Sequence, residues 1–310
     1  MKKVVITGAT GMIGVAVLQE CFAHGNEILA IVRPNSRNMN RIPKSPLITL
    51  CECEIENLEE LDVTAYGYDW DVFYHFAWNS LAPAGRDNVD LQMRNIQCTL
   101  SSVKLAKRLG CHKFIGAGSQ AEYGTYRMGR IGPDTPTNPI DAYGIAKFAS
   151  GKLAMVMAQQ TGIDFFWVRV FSVFGPYDRI TSLVNSTIEK MLQNERPQFT
   201  RATQIWDYLY SGDAGQAFYL IGEKGKGIRT YCLGSGQSRP LIEYIRIIRD
   251  IINPDLELGI GELPYVGAPI NIDPDISSLS SDVGFLPGTT FEEGIRQILS
   301  SSAFRQTTRA

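Results

Sequence analysis

The chain has 310 residues, 44% of them hydrophobic and 20% charged, and a formal net charge of −2. That length suffices for one large core or two interlocked domains, and the balance is that of an ordinary globular protein. The near-zero charge excludes the basic face that nucleic acids or anionic membranes attract, and no apolar run approaches the roughly 18 residues needed to span a bilayer.

MKKVVITG begins like the charged region of a secretory leader, but Gly8, Thr10 and Gly11 interrupt the apolar stretch and no cleavage site follows. The expectation is a first strand over 4–7 in a cytoplasmic protein. The segment continues as VVITGATGMIG, a strand, a glycine turn and the start of a helix over 12–23. Gly8 permits the turn, Gly11 lets backbone approach a pyrophosphate, and Gly14 lets helix and sheet pack closely. The open N–H groups of the helix start favour phosphate, so a dinucleotide site is expected here. A second strand over 27–32 leads into RPNSRN, with no Asp or Glu to hold ribose hydroxyls. Arg33, Ser36 and Arg37 cluster instead where a ribose 2′-phosphate would lie, which suits NADPH better than NADH. The plainer alternative is a solvated basic loop.

Further strands are expected over 47–51, 72–76, 114–117 and 165–170, with helices over 89–109 and 142–160. Strands alternating with helices imply a Rossmann-like α/β fold, a doubly wound parallel sheet with ligands at the carboxyl ends of its strands. Beyond Phe171 the pattern loosens, with helices over 182–193, 213–221 and 240–252 and a strand over 229–233. The expected division is a nucleotide-binding domain over 1–171 plus about 204–234. A smaller substrate lobe covers 172–203 and about 235–300, with a mobile tail over 301–310.

Six cysteines are scattered without a CxxC pair, and only three histidines exist. Reduced, packed thiols and no metal site are expected; Cys51 and Cys53 on one side of a strand have no second ligand pair nearby. YGIAK, within the helix over 142–160, sets Tyr143 and Lys147 four apart on one helical face. They are either a packed ring beside a solvated charge or a proton donor with the cation that tunes it.

Together the glycine loop, YGIAK and the strand order resemble the extended short-chain dehydrogenase/reductases, in particular the NAD(P)-dependent epimerase/dehydratase branch that modifies nucleotide sugars. TGATGMIG is similar to that family's TGxxGxxG loop and Tyr143 with Lys147 to its YxxxK pair. DVFYHFAW (71–78) resembles the strand whose end lines the cofactor, and FIGAGSQAEYG (114–124) the strand and loop carrying the catalytic hydroxyl, here Ser119. VRVFSVFGPYD (168–178) and QIWDYLYSGD (204–213) resemble two later landmarks. The resemblance covers about residues 1–250.

It implies that Gly8, Gly11, Met12 and Ile13 line the pyrophosphate, that Phe76 and Ala77 line the cofactor, and that Glu54 and Ile55 flank the adenine. Tyr143 and Lys147 would contact the nicotinamide ribose. Trp78, Ser119, Gln120, Ser172, Arg179, Trp206 and Arg239 would face the substrate, with Arg169, Arg179 and Arg239 as candidate phosphate ligands. Ser172 and Trp206 depart from the family's Asn and Arg, so recognition of the diphosphate must differ in detail. A lysine ammonium beside the phenol and the positive nicotinamide ring of the oxidised cofactor would together lower its pKa, ordinarily about 10, toward the working range. The family's dehydratases follow the catalytic hydroxyl with Asp-Glu; here Gln120 and Ala121 follow Ser119, which disfavours elimination. With the basic loop, the main expectation is an NADPH-dependent 4-ketoreductase of a nucleoside-diphosphate sugar. The alternatives are an NAD(P)-dependent nucleotide-sugar 4-epimerase, a reductase of a non-sugar carbonyl, and a cofactor sensor without chemistry. The resemblance also implies a homodimer built on the helices over 89–109 and 142–160.

Overall fold

A computed structural model describes residues 1–80, 83–125, 129–265 and 270–301. Of the expected tail, all but Ser301 lies outside these residues. Strands β1 (Lys3–Thr7), β2 (Glu27–Val32), β3 (Ile48–Glu52), β4 (Val72–His75), β5 (Lys113–Ser119) and β6 (Asp164–Val170) come in chain order. Short strands follow: β7 (Val173–Phe174), β8 (Gln198–Phe199), β9 (Ile205–Trp206) and β10 (Leu209–Tyr210). β11 (Ile228–Leu233) then completes a seven-stranded parallel sheet in the order β11-β6-β5-β4-β1-β2-β3. The strand order reverses between β1 and β4, and the crevice above their carboxyl ends is where such a sheet binds ligands.

Nearly every sheet position is apolar because both faces are covered. Val4 and Ile6 face one side, and Val5 between them faces the other. The first side packs against α1 (Met12–Ala23) and α6 (Ser211–Lys224). The second packs against α3 (Val89–Arg108) and α4 (Ala142–Thr161), with α2 (Pro83–Arg86) leading into α3. Helix α4 approaches the sheet closely at Gly151, where an added Cβ would lie 2.7 Å from the Trp167 ring.

A separate apolar cluster joins α5 (Leu183–Leu192), α7 (Leu241–Ile252) and α9 (Phe291–Ser300) through Val184, Ile188, Ile245, Ile248, Phe291 and Ile295. Short pairings frame it: β7 with β10, β9 with β12 (Arg239–Pro240), and β8 with β13 (Gly259–Ile260). Residues 277–285, placed by sequence in the lobe, return to the sheet instead. Leu279 and Val283 of α8 (Ser277–Val283), with Phe285, are buried against the α1–α6 side. Among the described residues, no helix is long and apolar enough to cross a membrane, and the six cysteines are buried and unpaired.

Candidate active site

The glycine loop leaves β1 through Gly8 at φ +71°, where an added Cβ would sit 2.6 Å from the Ala77 nitrogen. A Cβ on Gly14 would lie 2.1 Å from the Gly8 oxygen, so no side chain fits between loop and helix. Gly11 caps α1 through backbone alone, with no side chain bonded to the first amides. That leaves an open, positively polarised helix start facing the crevice, which fits the pyrophosphate of a dinucleotide.

Ser119 ends β5 and begins a short turn. Its Oγ accepts from the Ala121 N–H at 3.2 Å, while the Ser119 N–H donates to Glu122 Oε1 at 2.8 Å. This reciprocal cap fixes the serine's direction. Asp141 caps α4, accepting from the Gly144 N–H at 2.6 Å, and so sets Tyr143 and Lys147 in the helix's first turns. Tyr143 is 7% exposed and Lys147 6%. The Ser119 side chain acts on the phenol, favouring its ionised form. Lys147 Nζ donates to the Ala117 carbonyl at 2.8 Å and lies 3.6 Å from the centre of the Trp78 ring.

Burial leads the electrostatics of Tyr143. Burial raises its pKa, opposed by the Ser119 hydrogen bond and then by the Arg86 guanidinium, 4.2 Å from its ring centre. Burial lowers the pKa of Lys147 itself to about 7, with Glu122 pulling the other way. Between about 7 and the ordinary 10.5, the native lysine is therefore mostly neutral while the unfolded one is protonated. The unfolded state binds the extra proton, so Lys147 makes stability rise with pH across that window. Lys147→Met should flatten the slope in the cofactor-free protein. Urea unfolding at several pH values checks this, and equal slopes in the two proteins would contradict it.

These groups share a cleft of about 680 Å³. It runs from Gly8, Gly11, Met12, Ile13 and Gly14 past Phe76, Trp78, Ser119, Gln120, Tyr143 and Lys147. On the lobe side, Ser172, Arg179 and Trp206 complete the expected residues that line it. Ala77 stands just behind, against Gly8. Arg33, Ser36 and Arg37 form a loop beyond the cleft wall, with both arginines exposed.

Four further expected residues, Glu54, Ile55, Arg169 and Arg239, do not line this cleft. Ile55 is buried in the core on the α3 side, since it opens a short turn whose apolar face must be covered; Glu54 precedes it outside the cleft. Arg239 lies over the Tyr244 ring and 3.6 Å from Glu292, as a strut between β12, α7 and α9. Arg169 is buried, donating to Glu122 Oε2 at 2.8 Å and to the Tyr123 hydroxyl at 2.8 Å, so no part of it is offered to phosphate. His75 is enclosed by Thr7, Thr99 and Ser102, and burial lowers its pKa to about 3.

Sequence reading missed Arg41, Arg86, Tyr177 and Tyr208, all of which line the cleft. Arg41 donates to the Thr10 carbonyl at 2.9 Å and stacks 4.5 Å from the centre of the Tyr177 ring, bridging glycine loop and lobe. Tyr177 and Tyr208 lie within the quoted segments 168–178 and 204–213, which could have flagged them, whereas no local pattern marked Arg41 and Arg86.

Residues 4–234 match the profile of the NAD dependent epimerase/dehydratase family. The chain belongs to that family. This epimerase/dehydratase-family protein is thereby an NAD(P)-dependent enzyme of the extended short-chain dehydrogenase type. It is 24% identical to an uncharacterised UDP-glucose epimerase, YtcB, of Bacillus subtilis (strain 168), over 94% of this chain and 95% of that protein. Its fold is that of UDP-glucose 4-epimerase from Thermotoga maritima, solved with UDP-glucose, at a TM-score of 0.83 and 21% identity over 98% and 99% of the two chains. It is equally that of dTDP-glucose 4,6-dehydratase from Bacillus anthracis str. Ames, solved with NAD, at 0.82 and 18% over 99% and 97%.

Proposed function

We propose that this enzyme inverts a nucleotide-linked sugar at C4, acting as an NAD(P)-dependent 4-epimerase. The observation that carries the reading is the continuous cleft, which joins an open dinucleotide cradle to Ser119, Tyr143 and Lys147 and then to the lobe. The relatives named as epimerases, similar over nearly their whole length, support this outcome over net reduction. Elimination has no carboxylate at positions 120 and 121, and Glu122, next in sequence, is spent on Ser119, Trp167 and Arg169.

Bound nicotinamide would supply reversible hydride exchange with the sugar carbon. Tyr143 Oη takes the proton of the sugar 4-hydroxyl in one half of the cycle and returns it in the other. Ser119 Oγ, its acceptor capacity partly spent on Ala121, holds the reacting oxygen beside the phenol. Lys147 Nζ stands 5.9 Å from the Tyr143 ring centre, tethered by the Ala117 carbonyl. Gln120 Oε1 and Trp206 Nε1 are buried in the cleft wall without a hydrogen-bond partner among the described residues, an acceptor and a donor suited to a polyhydroxylated ligand. Inversion also requires the sugar to turn while its nucleotide stays held. Conversion of a UDP-sugar to its 4-epimer, followed by NMR, tests the proposal, and a failure across UDP-, dTDP-, GDP- and CDP-sugars would end it.

One observation favours the reductase reading as second. Arg33 and Arg37 are exposed beside the end of β2, with Ser36 between them and no carboxylate from 33 to 38. A 2′-phosphate would be paired there. The double substitution Arg33→Ala/Arg37→Ala should weaken NADPH binding at least tenfold, as expected for loss of charge-assisted contacts worth about 1.5–3 kcal/mol each, and leave NADH binding unchanged. Equal losses for both cofactors, by calorimetry, would remove this argument for NADP(H).

The same account pairs two copies through α3 and α4. Val89 and Met93 on α3, and Ile145, Leu153 and Val156 on α4, leave apolar side chains exposed on two helices packed together. Sedimentation should give a dimer that Leu153→Glu/Val156→Glu converts to monomer; a monomeric wild type would contradict it.

A further inference from the structure

We propose that Arg86 is a positioning residue for Tyr143, holding its ring and lending the positive charge that the phenolate needs. The inference rests on the reading in which Tyr143 exchanges a proton, and it adds a fourth member to the serine, tyrosine and lysine set. Arg86 ends α2, 57 positions before the tyrosine in sequence, yet its guanidinium carbon stands 4.2 Å from the Tyr143 ring centre. Its Nη2 donates to Asp141 Oδ2 at 2.9 Å. The other oxygen of Asp141 caps α4 through the Gly144 N–H, so one carboxylate ties the start of the catalytic helix to the cation above its tyrosine.

Lys147 stands farther from the ring than Arg86 does. Its nitrogen is 5.9 Å from the Tyr143 ring centre, is engaged by the Ala117 carbonyl and the Trp78 ring, and is readily neutralised by burial. A guanidinium stays charged throughout the working range and lies flat on an aromatic face. Trp78 meets the Tyr143 ring edge-on at 5.9 Å, so with Arg86 it limits how the ring can rotate. The charged and polar groups facing the phenol are Ser119 from β5, Glu122 from the following turn, Asp141 and Lys147 from its own helix, and Arg86 from α2. Glu122 and Asp141 oppose ionisation; Ser119 and Arg86 favour it, and the effect of Arg86 exceeds that of either acid.

The test is an NMR titration of the NAD-loaded protein carrying isotope-labelled tyrosine, with the Tyr143 signal identified by its loss in Tyr143→Phe. In Arg86→Gln the ionisation midpoint of Tyr143 should move upward, and in Arg86→Lys it should return toward wild type. The pH–rate limb for sugar turnover should move in the same directions. A midpoint unchanged in Arg86→Gln, or displaced as far in Arg86→Lys, would overturn the proposal. Because the titration does not depend on turnover, a midpoint that moves in a protein inactive on every nucleotide sugar would leave this inference standing and remove the proposed activity.

Discussion

Tyr143→Phe is expected to lower turnover by about 10²–10⁴-fold, the range that a positioned proton donor supplies, with cofactor affinity close to wild type. The substitution removes one oxygen and keeps the ring. Trp78 would still meet that ring edge-on, Arg86 would still lie over it, and Asp141 would still cap the helix. Ser119 would still accept from Ala121, so no buried donor is stranded. Stability should therefore change little, which separates loss of chemistry from loss of structure. Steady-state kinetics beside NAD binding by calorimetry check this. A variant keeping more than about a tenth of wild-type turnover, well above what loss of the proton donor permits, would refute the role assigned to the phenol.

Glu122→Ala should be the most damaging substitution for stability, by about 3–5 kcal/mol, because it strands a buried arginine. Glu122 is 1% exposed and Arg169 5%. The carboxylate accepts from the Ser119 N–H and from Trp167 Nε1 through one oxygen, and from Arg169 Nε through the other. Removing it leaves three buried donors unmatched, one of them charged. Arg169 would retain only the Tyr123 hydroxyl and the Pro133 carbonyl. Ser119 would also lose half of its cap, so the fraction that folds should turn over more slowly. Urea unfolding measures the first effect. A cost below about 1 kcal/mol, the range of an exposed pair, would show that Glu122 and Arg169 do not form the buried link described here.

The parts of the fold written in local periodicity were the legible ones. From Val4 to Ala23, apolar alternation, three spaced glycines and a helical pattern follow one another, and β1, the loop and α1 form there. Tyr143 and Lys147 could be paired because a helix brings residues four apart to one face. Arg169 was misread because a strand pattern gives the direction of a side chain but not its partner. An arginine inside the run FFWVRV of a strand covered on both faces needs a buried acid, and Glu122 lies 47 positions away. Arg86 and Arg41 were invisible for the same reason: long-range packing brings them to the cleft. Helix α9 was different, since TTFEEGIRQI carries a Thr290–Glu293 cap and apolar residues at 291, 295 and 298 that were open to reading. The short strands β7 to β10 left no period to detect, each being two residues long.

In the proposed reading Tyr143 moves the proton, and the direction of net reaction depends on what becomes of the cofactor. The decisive measurement is the stoichiometry of nicotinamide to product, taken with a nucleotide-sugar substrate and cofactor far below substrate concentration. The epimerase account predicts that the 4-epimer accumulates over many turnovers while the nicotinamide absorbance shows no net change, and that Tyr143→Phe abolishes the conversion. One reduced cofactor consumed for each product formed would contradict it.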